Sequence, residues 1–301
     1  MLFFQRQPLY SAERTERTKR RFVYGAFFAV LFLSATLGVL SWGSYREESR
    51  INAVRVLGVV SFPEADVRSF VEQKLAGAYW GLFSRAWSFL YPKEEITEGL
   101  WEAFPRLAGV VVHRISRNEI AIEATEREPR YLWCGETLPP ASANGSGAAT
   151  PTGGARPRCF FLDKDGVAFT GAPYFSGAVY FKMYGVMRGA ALFPPGLHEP
   201  PIGLSFLSAE EWARVIAFKK ALEETGISPE ELFLEGEGDA SFIFPSGMRL
   251  VFSMAQDFSV VHNNLLAALG TEPFTKAMFL SVGAEHFEYL DARFENKIFY
   301  R

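Results

Sequence analysis

The side chains able to do chemistry are few in this chain and widely spaced. The four histidines, His113, His198, His262 and His286, stand apart from one another, and the only cysteines are Cys134 and Cys159. The spacings that build a phosphate loop (G-x-x-x-x-G-K), a serine nucleophile elbow (G-x-S-x-G), a zinc helix (H-E-x-x-H) or a C-x-x-C pair do not occur. Asp163-Lys164-Asp165-Gly166 has the look of an opening calcium loop. Val167, Ala168 and Phe169 follow at once, where such a loop needs further oxygen ligands and a closing Glu, so the segment reads as a hairpin turn. Glu126 and Arg127 could work as an acid and base pair. Pro129, however, fixes the direction of the chain two residues on, which favours a structural junction in which Arg127 pairs with a nearby carboxylate or carbonyl. The expectation is a protein with no catalytic residues, no metal and no cofactor, and hence not an enzyme.

The elements that carry these residues begin with an asymmetry of charge. The chain has 301 residues, 49% hydrophobic and 22% charged, with a formal net charge of -3, which excludes a disordered chain, a collagen and a coiled-coil rod. Residues 1–21 hold six basic side chains (Arg6, Arg14, Arg17, Lys19, Arg20, Arg21) against Glu13 and Glu16, so the other 280 residues carry a net of -7. From Phe22 to Tyr45 there are then 24 residues without a charge. A hydrocarbon layer of about 30 Å takes roughly 20 helical residues, so 22–45 is expected to be a transmembrane helix. Phe22 and Tyr24 at one end, with Trp42 and Tyr45 at the other, suit the two interfaces. The basic residues before the span place 1–21 as a cytoplasmic tail and the rest of the chain outside the cytoplasm. A cleaved secretory signal fits less well, because a signal core is usually about 7 to 15 residues and the Ala-x-Ala site is missing. A buried core helix would not ordinarily follow a basic tail. The tail itself is short and close to the membrane, so lipid headgroups account for it and nucleic acid does not.

Both cysteines fall on the outer side. Between them lies GETLPPASANGSGAATPTGGARPR, residues 135–158, a Gly-, Ala-, Pro-, Ser- and Thr-rich insertion expected to be a mobile loop. Strand-like sequence resumes on both sides, so the two sulfurs belong at its base. A disulfide between Cys134 and Cys159 suits an oxidising compartment, and two buried free thiols are the alternative.

Residues 51–127 read as one compact unit. INAVRVLGVV alternates as a strand and stops at Gly58; PEADVRSFVEQKLAG opens with Pro63 in the first turn of a helix and sets Val67, Phe70, Val71 and Leu75 on one face. KEEITEGLWEAFP is a second helix ending before Pro105, and LAGVVVHRIS with EIAIEATER forms a hairpin. In 128–301, Ser208 and Glu211 make a capping box for a helix that stops at Gly226. ASFIFPSGMRLVFSM is a hairpin, and DFSVVHNNLLAALG is a second helix.

These residues resemble a known family. The β-α-α-β-β order, the Val56-x-Gly58 close of the first strand, the Phe104-Pro105 step and the Glu126-Arg127-x-Pro129 motif are similar to the POTRA domain of the FtsQ/DivIB cell-division proteins. The closing segment, with Tyr289, Asp291, Arg293 and Phe294, resembles the Tyr-x-Asp-x-Arg-Phe hairpin of the same family, and the resemblance covers almost the whole chain. The aromatic link AYWGLFSRAWSFLYP (78–92), the 135–158 insertion and the cysteine pair depart from the pattern. The resemblance implies an α+β protein with a short cytoplasmic tail, one transmembrane helix, a POTRA domain and a larger mixed β domain with two helices. It implies a single-pass protein of the cytoplasmic membrane, a divisome scaffold at the septum. Its POTRA domain would meet other divisome proteins, and its β domain would bind FtsB/DivIC-like and FtsL-like partners.

The last strand, Lys297-Ile298-Phe299-Tyr300, is expected at a sheet edge, either as a closing strand guarded by its terminal charge or as an edge to which a partner adds a strand, and the resemblance implies the second. A POTRA-containing secretion or outer-membrane assembly component is the main alternative, although a transport barrel would need many alternating strands of about 10 residues. A membrane-anchored hydrolase is a further alternative with no motif behind it.

Overall fold

A computed structural model describes residues 12–139, 159–173, 175, 178–188, 201–280, 287–294 and 297–301. The chain divides into two compact units, Met1–Glu126 and Arg127–Arg301.

The first unit opens with α1 (Ala12–Ser44), at 33 residues about 50 Å long at 1.5 Å per residue. It starts ten residues before the expected boundary at 22, inside the basic tail, because nothing from Ala12 to Arg21 breaks a helix: there is no Pro and no Gly, and Ala, Glu, Arg and Lys all propagate one readily. Among the described residues this is one helix long and apolar enough to cross a membrane, and the folded remainder of the chain follows it. Every side chain from Lys19 to Leu40 is exposed, among them Phe22, Phe28 and Phe32. A continuous apolar surface of that length facing outward is the pattern of a helix whose solvent is lipid.

After α1 come β1 (Ala53–Leu57), α2 (Glu64–Leu75), a short hairpin of β2 (Ala78–Tyr79) and β3 (Phe83–Ser84), α3 (Lys93–Ala103), β4 (Leu107–Arg114) and β5 (Glu119–Glu126). The sheet order is β1-β5-β4, with β1 parallel and β4 antiparallel to the central β5. Alternate residues Val54, Val56, Val110, Val112, Ile120 and Ile122 point to one face. There they meet Val67, Val71 and Leu75 of α2 and Ile96 and Leu100 of α3, and together they form a single core. Pro63 stands at the N-cap of α2 with extended backbone, one position before the first turn assigned to it from sequence. Gly58 ends β1 at φ +84°, and a Cβ there would lie 2.0 Å from the Ala124 carbonyl oxygen, so this close approach to β5 requires glycine.

The second unit contains β6 (Tyr131–Trp133), β7 (Phe160–Leu162), β8 (Ala168–Gly171), β9 (Phe181–Tyr184), α4 (Ala209–Glu224), β10 (Glu231–Leu234), β11 (Asp239–Ile243), β12 (Arg249–Ser253), α5 (Phe258–Leu269), the one-turn α6 (Ala277–Leu280), β13 (Tyr289–Phe294) and β14 (Lys297–Tyr300). Nine of these strands make one mixed sheet in the order β14-β13-β12-β11-β10-β9-β6-β7-β8. Parallel pairs occur at β13/β12, β10/β9 and β9/β6. Both long helices pack on the same face, where Trp212, Val215, Phe218, Val261 and Leu265 cover Met183, Leu232, Phe242, Leu250, Phe252 and Leu290. The capping box at α4 forms as its residue types require, with Glu211 N–H donating to Ser208 Oγ (3.3 Å) and Ser208 N–H donating to Glu211 Oε2 (2.9 Å). The mixed α+β architecture expected from sequence is therefore present, with α6 added to the two helices anticipated.

Candidate functional site

The turn after β7 is built by Asp163, whose Oδ1 accepts from the N–H groups of Asp165 and Val167, both at 2.9 Å. Its Oδ2 accepts from Arg127, and the Asp163 side chain is almost fully buried. Three hydrogen bonds from protein thus engage both carboxylate oxygens, which is the chemistry of a structural turn. Neighbouring Glu126 turns to its own unit, accepting from the N–H groups of Val60 and Ser61 (2.8 Å to the latter) and from the Ser61 hydroxyl. Burial pushes the Glu126 carboxyl up, but these bonds together outweigh it and hold the group below the ordinary carboxylate range. Adjacent residues of the Glu126-Arg127-x-Pro129 junction therefore serve two separate networks and do not form an acid and base pair.

Cys134 and Cys159 are joined in a disulfide that follows β6 and precedes β7. It sits beside Leu132, Phe161 and Tyr184 on the sheet face opposite the helices. The insertion expected at 135–158 lies, from 140 on, outside the described residues, as do His198 and His286. His113 is partly buried, 3.8 Å from Glu123, and His262 has a buried Nε2 with no hydrogen-bond partner. Among the described residues no group of three or more His, Cys, Asp and Glu side chains could hold a metal ion.

The residues singled out near the C-terminus converge at the β14 end of the large sheet, six strands from β6 and hence about 29 Å from the disulfide-bearing strand at ~4.8 Å per step. Leu290 and Ala292 of β13 enter the helix-covered core, which turns Asp291 to the other face, nearly buried. Arg293 grips Asp291 with two parallel bonds, Nε to Oδ1 at 2.9 Å and Nη2 to Oδ2 at 2.6 Å, and reaches Asp239 at the start of β11 with Nη1 at 2.7 Å. The Arg293 hydrogen bond holds the Asp291 carboxyl below the usual aspartate range, and the two carboxylates in turn push the guanidinium further up. Gln256 adds a strap, its amide donating to the Arg293 carbonyl at 2.8 Å. The arginine and glutamine thus tie β13 to β11 and to the loop before α5.

This tied strand carries β14. The antiparallel register pairs Leu290 with Tyr300 and Asp291 with Phe299, with a bulge before Phe294 and Lys297 meet. Arg301 N–H donates to the Tyr289 carbonyl (3.3 Å), so by strict alternation Phe299 and Arg301 bond inward while the N–H and C=O of Ile298 and Tyr300 point away from the sheet. Among the described residues no strand pairs with that outer side. The other end of the sheet differs, because Ala168 at the start of β8 donates to the Leu204 carbonyl (2.9 Å) and accepts from Gly203 (2.7 Å). Phe294 and Phe299, each about half exposed, stand edge to face at 4.9 Å, and Tyr300 packs on Phe287 and Phe274 at 4.5 and 5.1 Å. The result is a strand edge that no strand pairs with among the described residues, with aromatic side chains on it and an ion-pair network behind.

Two groups escaped sequence reasoning. Asp239 is separated from Arg293 by 54 residues, and only the sheet order brings them together. Lys182 and Glu231 lie directly opposite in the parallel pair β9/β10, with Nζ to Oε1 at 3.6 Å. Burial pushes the Glu231 carboxyl up despite the lysine, and burial with the nearby Glu231 pushes the Tyr184 phenol up. A lone Lys in FKMY and a lone Glu in ELFL give no hint of each other. No protein-family model matches the chain, and no curated protein matches it significantly.

Proposed function

We propose that the chain is a non-enzymatic scaffold of the FtsQ/DivIB type: a bitopic protein with its N-terminus in the cytoplasm, both folded units outside the cytoplasmic membrane, and its work at the division septum. In this reading residues 51–127 form a POTRA unit that meets other divisome proteins. The β domain at 128–301 recruits FtsB/DivIC-like and FtsL-like partners by strand addition at Lys297–Tyr300. The observation that carries it is the contrast between the two ends of the nine-stranded sheet: at one, residues 203–204 bond Ala168 of β8, and at the other, among the described residues, no strand pairs with Ile298 and Tyr300, beside exposed aromatics. The excess of Lys and Arg before α1 supports the orientation.

The test is capture of FtsB-like and FtsL-like ectodomains by the purified chain, comparing two proline variants. Ile298→Pro removes an outward N–H and is expected to abolish capture with the fold retained, since proline is tolerated on an edge strand. Phe299→Pro removes an inward N–H and is expected to release β14 from β13 as well. Full binding by a folded Ile298→Pro chain, or a tagged chain spread evenly over the envelope of dividing cells, would sink the proposal.

A further inference from the structure

The aromatic link between α2 and α3 is explained by neither the core nor the partner edge. Tyr79 to Leu90 contains one charge, Arg85, and that guanidinium is occupied by an ion pair with Glu95, by the Lys74 carbonyl (3.0 Å) and by the face of Tyr79 (5.2 Å). The segment folds as the β2–β3 hairpin, closed by Leu82 N–H to the Tyr79 carbonyl at 2.9 Å. Both central residues take left-handed backbone, Trp80 at φ +50° and Gly81 at φ +73°. Such turns ordinarily place Asn, Asp or Gly at both positions, and a bulky residue there is an outlier. Here the first position is a tryptophan, 86% exposed, followed by Leu82 at 48%.

The hairpin is fastened to the end of α1. Ser44 Oγ accepts from the Ser84 N–H at 3.1 Å, and Ser41 Oγ donates to the Leu82 carbonyl. Ser41 and Ser44 are three apart, on one face of the helix, about 4.5 Å along its axis. β3 therefore runs parallel to the last turn of α1, with Ser84 level with the helix end and Leu82 one turn back. The tip, Trp80-Gly81, points back along the helix. Further ties, Ser88 N–H to the Ser49 carbonyl (2.9 Å) and Ile51 N–H to the Ala86 carbonyl (2.8 Å), fix the hairpin at that depth. A hydrocarbon layer of roughly 20 residues centred on the charge-free run Phe22–Tyr45 ends near residue 43. Leu82 lies beside Ser41, inside that boundary, and Arg46, the first charge after the run, folds back over the Trp42 ring at 4.1 Å.

We propose that the β2–β3 hairpin is a second membrane contact, with Trp80 and Leu82 seated in the headgroup and upper acyl region of the leaflet from which α1 emerges. Helix and hairpin together make a two-point attachment that sets the orientation of the three-stranded unit on the bilayer. The inference rests on α1 spanning the membrane, and the test separates the two statements. In the full chain with its native disulfide oxidised, a nitroxide is placed by Leu82→Cys, with Leu31→Cys as a lipid reference and Lys220→Cys as a water reference, in phosphatidylcholine and phosphatidylglycerol vesicles at high lipid dilution. Relaxation by oxygen is compared with relaxation by a water-soluble nickel chelate. The expected result is a several-fold loss of nickel access at 82 relative to 220 with oxygen access retained. Nickel access at 82 equal to that at 220, while 31 reads as lipid, overturns the hairpin contact and leaves the anchor standing. A label at 82 shielded from both reagents means protein covers the tip and overturns it too, and a water-exposed 31 overturns both statements. As a second measurement that leaves β3 untouched, Trp80→Phe is expected to lose emission quenchable by lipids brominated near the headgroup end of their chains; unchanged quenching overturns the contact.

Discussion

Replacing Arg127 by alanine isolates what the junction motif does. The partner carboxylate, Asp163, is 4% exposed and Arg127 is 20% exposed, so the pair is largely out of water. Removing one member of a buried pair costs about 3–5 kcal/mol, because the remaining charge is left uncompensated. Here Asp163 keeps two backbone donors on Oδ1, which argues for the lower end, about 3 kcal/mol. For a unit of this size each kcal/mol moves the melting midpoint by roughly 2–4 °C, so Arg127→Ala should lower it by about 6–12 °C. The turn also holds Trp212, whose indole N–H donates to the Lys164 carbonyl at 2.8 Å, so tryptophan fluorescence of the full chain in detergent follows the unfolding. Adding Asp163→Asn to Arg127→Ala removes the stranded charge and should recover part of the loss, a non-additivity expected of residues in contact. A fall under about 2 °C for Arg127→Ala, equivalent to less than about 1 kcal/mol, would refute a buried pair. It would return Arg127 to the status of a surface arginine.

Two further predictions test the frame around the candidate edge and the first sheet. The Asp291 carboxyl is held below its ordinary value of 3.8 by Arg293, so its stabilisation is complete above that value and is lost as pH falls through the lower folded-state pKa. Urea midpoints measured from pH 6 down to pH 2 should therefore drop on the acid limb, and Asp291→Asn, weaker at pH 6, should drop less; parallel curves would rule the ion pair out as a contributor. Gly58→Ala should cost about 3 kcal/mol or more from left-handed backbone strain and the clash with the Ala124 carbonyl. Gly171→Ala, which meets nothing within 4 Å, should stay within about 0.5 kcal/mol in the same denaturation assay.

What could be read from the sequence follows from how local each code is. The charge-free run from Phe22 to Tyr45 and the Ser208/Glu211 box are written in nearby residues, so α1 and α4 are legible, although the helical residues before Phe22 read as tail because charge does not mark a helix start. The β2–β3 hairpin was not legible, since Trp80-Gly81 lacks the Asn-Gly or Asp-Gly signal that normally announces such a turn. Sheet order was out of reach for a different reason. β9 lies between β6 and β10, 131–133 and 231–234, and no periodicity within a segment states which distant strand it will join. The same non-locality hid Lys182 from Glu231, and it hid Asp239 from Arg293 and with it part of the network behind β14.

That network bears on whether β14 is a closing strand or a landing strip. Proteins that merely end a sheet blunt its edge with proline, with inward-pointing charge, or with a bulge that twists the strand away. The charges stand at the start of β14 (Lys297) and just after it (Arg301), the bulge lies on β13 between Asp291 and Phe294, and the residues with outward backbone, Ile298 and Tyr300, are apolar and aromatic. The ion pairs of Arg293 sit behind the edge, where they stiffen the strand that β14 hangs on without shielding its free groups. Under the proposed reading, an edge that no strand pairs with among the described residues, on a strand tied in place from behind, loses little conformational entropy when a partner's strand is added.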